Sequence, residues 1–168
     1  MPNPNTMTAD TPSATTGGIA ARTILLGTLV AGTMDILAAI ISWGLRGVSA
    51  ERVLQGVATG VLGSEARNGG TWSAALGLLL HYLIMIGIVA VFYAASRKLP
   101  FLTRRWLLAG IAYGIAVYIV MSFVVVPLSA SPGGFAVPPL PRLIQGVLIH
   151  IACVGVPIAF ITSRYARS

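Results

Sequence analysis

Four long apolar runs, separated by short stretches that gather nearly all the charge, set the pattern of this chain. A helix needs about 20 apolar residues to cross the hydrocarbon core of a bilayer, and the runs at residues 20–45, 71–96, 105–126 and 140–162 all reach that length. The pattern predicts an all-α fold, a four-helix transmembrane bundle that occupies residues 19–165 as a single domain.

Between the first two runs the pattern changes. Ala50, Val53, Leu54, Val57, Ala58, Val61 and Leu62 recur at the spacing of one helix face, while Glu51, Arg52, Gln55, Gly56, Thr59, Gly60 and Gly63 share the other. Ser49 supplies the N-cap. Residues 49–63 are too few, and too polar on one side, to span, so they read as a short amphipathic helix, interfacial or re-entrant. Its Arg52-Val53-Leu54-Gln55-Gly56-Val57 echoes Arg142-Leu143-Ile144-Gln145-Gly146-Val147 at the start of the fourth run. Two readings stand: a parallel internal repeat of the kind that builds some transporters, or coincidence between two Gly-rich apolar helices. On either reading Arg52, Gln55, Arg142 and Gln145 are candidate polar residues of the outer face. Residues 127–141 hold five prolines and the pair Gly133-Gly134, which excludes regular helix and predicts an extended outer loop or lid.

Composition fixes the class. With 56% hydrophobic and 9% charged residues and a mean hydropathy of +0.87, the chain is an integral membrane protein whose partner is the lipid bilayer. The 11 Lys+Arg against 4 Asp+Glu would suggest nucleic acid if they formed a patch. They lie between the apolar runs instead, where they set orientation, and no nucleic-acid partner is expected. Arg22, Arg97, Lys98, Arg104, Arg105, Arg164 and Arg167 fall on one side, against Arg46, Arg52, Arg67 and Arg142 on the other, which places both termini inside. Trp43, Trp72 and Trp106 fall near span ends, as interfacial anchors do. Residues 1–18, rich in Pro, Thr and Ser with Asp10 as their one charge, read as a disordered tail. No basic segment precedes the first run, so it reads as a retained anchor rather than a cleaved signal. Cys153, the single cysteine, sits inside an apolar run and can form no intrachain disulfide.

Asp35 interrupts the first run. A carboxylate at bilayer depth costs at least about 2.5–3.5 kcal/mol and calls for a partner, a cavity or an ion. Thr28, Ala31, Gly32, Ala38, Ala39 and Ser42 share its face, whereas Leu25, Leu26, Leu29, Ile36, Leu37, Ile40 and Ile41 cover the rest. Bulky residues then face lipid and Asp35 faces the bundle. His81 and His150 interrupt two other runs. Like Asp35, each lies ten residues from the outer end of its run, so all three reach roughly 15 Å of depth at 1.5 Å per residue. With Tyr113 and Tyr118 at the matching level of the third run, they make a predicted intramembrane polar cluster. Gly32, and the G-x-x-x-G pair Gly110 and Gly114, are candidates for close helix packing. The last two are the expected contact of a homo-oligomer.

Such a cluster has three uses. A carboxylate with two imidazoles is a ligand set for a divalent metal, although no H-x-x-x-H or E-x-x-H spacing enforces it. Asp and His also carry protons along intramembrane pathways. Alternatively the carboxylate only pins helices together, at about 1–2 kcal/mol per hydrogen bond. The function classes are therefore a small transporter or channel and a structural or regulatory membrane protein. A lipid-modifying enzyme, with Arg52 and Arg142 on a headgroup phosphate, is a distant third. There is no nucleophile elbow, phosphate loop or carboxylate pair, and no cofactor signature.

The Gly27–Gly32 entry to the first span, His81, Pro100 in the basic hairpin, Gly110 and Gly114, Pro127-Leu128 and His150 together give an order of features that resembles the YagU-like family of small bacterial inner-membrane proteins. The resemblance covers residues 25–164 and implies a four-helix protein of the bacterial cytoplasmic membrane. It adds interest to His81 and His150 but brings no substrate or reaction.

Overall fold

The computed structural model describes residues 16–165, and they are mostly helical with no strand among them. The expected tail lies outside the described residues except for 16–18, which already belong to the first helix, and so does Arg167. The elements are α1 (Thr16–Gly44), α2 (Ala50–Leu62), a 3-10 turn (Gly63–Arg67), α3 (Gly70–Lys98), the single turn α4 (Phe101–Arg104), α5 (Trp106–Leu128) and α6 (Leu140–Tyr165). The helices α1, α3, α5 and α6 are long and apolar enough to cross a membrane.

Small residues let α1 lie close to α3. A Cβ on Gly27 would meet Val89 Cγ1 at 2.8 Å and one on Gly32 would meet Tyr82 at 2.9 Å. Ala31 between them is fully buried, while Leu25, Leu29, Leu37 and Ile41 are at least half exposed, as a lipid-facing stripe requires. Ile36 departs from the expected outward set. It is 6% exposed and turned inward beside Asp35. One core joins all four long helices through Ala31, Met85, Val89, Phe92, Val117 and Ile158.

Both α5 and α6 contain a π-helical segment, Met121–Val125 and His150–Gly155. Each precedes an in-helix proline, Pro127 and Pro157. Proline lacks an N–H and its ring clashes with the carbonyl four residues back, here Phe123 and Cys153. Widening that turn to the i→i+5 pattern absorbs the clash. Helix therefore continues through Pro127 to Leu128, and only residues 129–139 form the irregular loop expected from 127 onwards.

The α6 π-segment is also where α5 comes closest. A Cβ on Gly110 would meet Val156 Cα at 2.8 Å, one on Gly114 would meet Ile151 Cα at 2.6 Å, and one on Gly155 would meet Gly110 O at 2.0 Å. Gly110 and Gly114 are helix-packing residues, but the contact is internal. The expectation that this pair joins two copies is corrected, because the surface it needs is covered by α6.

Ser49 caps α2 as expected, its hydroxyl accepting from Arg52 N at 3.3 Å. The faces of α2 differ from the sequence reading. Its most buried residues are Gln55, Ala58 and Thr59, which mix the two sets. The cause is Gly77 on α3, so close to α2 that a Cβ there would meet Leu54 O at 1.9 Å. The helix therefore packs along α3 with Gln55 Nε2 donating to Gly70 O at 3.1 Å, instead of lying with its apolar stripe down. The two echoing hexapeptides consequently sit in unlike elements, one in the short α2 and the other opening the long α6.

Candidate functional site

A cavity of about 770 Å³ opens at the α2 end of the bundle and reaches its middle. Its mouth is basic. Arg46 just past α1, Arg52 on α2, Arg67 closing the 3-10 turn and Arg142 in the first turn of α6 all line it. Below them the wall is mixed, with Ala39 and Ser42 on α1, Met121 and Ser122 on α5, and Gln145 and Ile149 on α6. Asp35, His81 and His150 line its middle, and Met85 and Ile88 beyond His81, with Val154 beyond His150, line its inner part. Asp35 lies nine residues before the end of α1 at Gly44, about 14 Å along the axis.

The mouth is held by a network between α1 and α6. Arg46 Nη2 donates to Gln145 Oε1 at 2.6 Å, and Gln145 Nε2 donates to Ser42 Oγ at 3.0 Å. Trp43 carries two guanidinium groups over its ring, Arg46 at 5.6 Å and Arg142 at 5.9 Å. Arg52 Nη1 donates to Arg67 O at 2.8 Å, fastening α2 to the 3-10 turn. Among the described residues none of these arginines is paired with a carboxylate. Thr59 and Ser131 share a hydroxyl–hydroxyl bond of 2.6 Å, and Ala130 N donates to Gly60 O at 3.0 Å, so the 129–139 loop is tied to α2 beside the opening.

The expected five-residue cluster does not form as one hydrogen-bonded unit. His81 Nε2 donates to Gly32 O at 2.9 Å, which fixes its tautomer and ties α3 to α1 one turn from Asp35. His150 Nδ1 donates to Gly146 O at 2.9 Å, four residues back in its own helix, and its ring meets Tyr118 edge-on at 5.3 Å. Tyr113 is elsewhere. Its hydroxyl donates to Ile88 O at 2.6 Å and it lines a second, smaller cavity with Phe92 and Arg105. Asp35 makes no hydrogen bond with any described residue. No three His, Cys, Asp or Glu side chains among the described residues are placed to hold a metal ion, so the metal reading of Asp35, His81 and His150 falls. What the fold brings together is one cavity lined by Asp35, His81, His150 and Tyr118, with Arg52, Arg142 and Gln145 above them. Gln55, expected on the same polar face, is buried against α3.

Sequence reasoning missed two contributors. Arg46 and Arg67 were counted only for orientation, although they join Arg52 and Arg142 at one opening. The π-segments gave a signal in the pairs Val126-Pro127 and Val156-Pro157 inside apolar runs. No family model, curated protein or solved structure matches this chain.

Proposed function

We propose that this is a small membrane transporter, with Asp35 as the acidic group midway down a substrate cavity that opens to the outside. One observation carries the reading: Asp35 lines a cavity running from the arginine mouth to mid-bundle and makes no hydrogen bond or ion pair with any described residue. A carboxylate kept at that depth without a hydrogen bond does not pin helices, which is what the structural alternative requires. Pinning falls to other groups, namely His81 on Gly32 O, Tyr82 on Thr33 at 2.8 Å and Tyr113 on Ile88 O.

In this reading the α2 end faces outward, both termini lie inside, and the membrane is the bacterial inner membrane, as the charge distribution and the YagU-like resemblance imply. Assembly into a homo-oligomer belongs to the same proposal, through a face other than Gly110 and Gly114. The test is flux in proteoliposomes across a panel of protons, ions and small amphiphiles. Asp35→Asn keeps shape and hydrogen-bonding capacity but cannot titrate. It is expected to abolish flux while the melting temperature in detergent stays at the parent value. Parent-like flux in Asp35→Asn, or loss of the folded bundle in that variant, would return Asp35 to the structural role.

A further inference from the structure

We infer that the cavity binds a phosphate-headed membrane lipid, its head held by Arg52, Arg67 and Arg142 and its chain laid along the cavity's apolar side chains. This rests on the transport reading only for what happens to the bound lipid afterwards.

Four arginines from four separate chain segments converge on one opening. Interfacial anchoring of a bundle does not require that, since anchors serve equally well spread around the rim. Their donors are largely unspent. A guanidinium carries five N–H groups, yet neither the Arg67 nor the Arg142 side chain makes a hydrogen bond with a described residue, and Arg52 uses Nη1 alone. The nearby acids do not neutralise them, because Glu51 and Glu65 form no ion pair among the described residues. Planar guanidinium groups bind phosphate and carboxylate through paired donors. Three such groups offer donors enough for the two non-bridging oxygens of a phosphodiester together with its ester and headgroup oxygens, a wider set of acceptors than a carboxylate carries, which favours a phosphate head.

The rest of the cavity selects a chain. Apolar side chains line it from Val57, Val125 and Ile149 down past Asp35 to Met85, Ile88 and Val154, with Ser42, Ser122 and Gln145 among them, and its volume of about 770 Å³ lies in the range of roughly 300–1,000 Å³ typical of small-molecule sites. A free anion would leave that wall unused. A carboxylate midway down the cavity disfavours a second anionic group there, so the head stays at the mouth and the chain points inward.

The test uses the full-length chain with Trp72→Phe and Trp106→Phe, purified in neutral detergent, with Trp43 fluorescence as the readout because two of the cavity's arginines lie over that ring. Phosphatidylglycerol, phosphatidylcholine, oleate and inorganic phosphate are titrated separately. Saturable binding of phosphatidylglycerol is expected, at least about tenfold tighter than phosphatidylcholine or oleate, with no response to inorganic phosphate at matched concentration. Arg52→Gln with Arg142→Gln should weaken it by about tenfold or more, the scale of lost charge-assisted hydrogen bonds. Gly56 lines the cavity with nothing within 4 Å of an added Cβ. Gly56→Leu should therefore fill chain space and weaken binding while the melting temperature holds. Equal binding of phosphatidylglycerol and phosphatidylcholine, oleate as tight as phosphatidylglycerol, a full response to inorganic phosphate, or parent-like affinity in both the double-arginine and Gly56→Leu proteins would each overturn the assignment. Binding and flux fail separately. Lipid binding as described without flux of any probe removes the transport reading and leaves the lipid site, and flux without lipid selectivity does the reverse.

Discussion

At the scale of single residues, the glycines separate into those that hold the bundle and those that do not. Gly155 packs backbone to backbone, and an added Cβ would lie 2.0 Å from Gly110 O and 2.5 Å from Gly114 N. No flexible side chain can yield there. Gly155→Ala should cost more than the about 1–3 kcal/mol of ordinary overpacking and lower the melting temperature in detergent markedly. Gly87, on the exposed side of α3 with nothing within 4 Å, is the internal comparison. Gly87→Ala should leave melting unchanged or raise it slightly, since alanine is the better helix former. Equal melting of the two variants would contradict the tight α5–α6 crossing. The same contrast explains why Gly110 and Gly114 misled as an oligomer contact: a small-residue stripe announces close approach without naming which helix approaches.

At the scale of elements, α2 links the loop to the bundle. The Thr59–Ser131 hydroxyl bond of 2.6 Å is a side-chain tie between α2 and the 129–139 loop. Thr59→Val keeps the shape and removes that bond, together with the hydroxyl's bond to Gly56 O within α2, at about 1 kcal/mol for each. Hydrogen exchange should then accelerate across residues 129–139 and leave α1, α3, α5 and α6 protected as before; unchanged loop exchange would show that the tie does not order it. Much of this level was legible in the sequence. The long helices, the Ser49 cap and the tight hairpin at Pro100 follow from run length, capping chemistry and proline spacing, which are local properties. The faces of α2 were not legible, because Gly77, eighteen or more residues away from its buried positions Gln55, Ala58 and Thr59, decides which side of α2 is covered. The polar cluster was half legible. Depth along a helix follows from counting residues, so Asp35, His81 and His150 were placed at one level. The backbone hydrogen bonds of His81 to Gly32 and of His150 to Gly146 depend on helix rotation, and counting does not give that.

At the scale of the whole molecule, charge and architecture are polarised together. The arginine-lined cavity and α2 occupy one end, while Arg97, Lys98, Arg104 and Arg105 gather at the α3–α5 connection at the other. With Ala136 exposed in the loop and Lys98 exposed in the hairpin, Ala136→Cys should react with an impermeant thiol reagent added outside intact cells, and Lys98→Cys should react only after permeabilisation. The opposite labelling would invert the orientation and turn the cavity toward the cytoplasm.

The cavity wall facing Asp35 has a further consequence, for biogenesis. Synthesis runs from the N-terminus, so α1 enters the bilayer before α5 and α6 exist, and at that moment Asp35 has lipid where its cavity will be. The first span must therefore insert on its own aliphatic surface, carrying the about 2.5–3.5 kcal/mol burden of the carboxylate against Leu25, Leu29, Leu37 and Ile41. Until α5 and α6 arrive, the nascent chain holds a half-made site open to the membrane, and their insertion is what shields it.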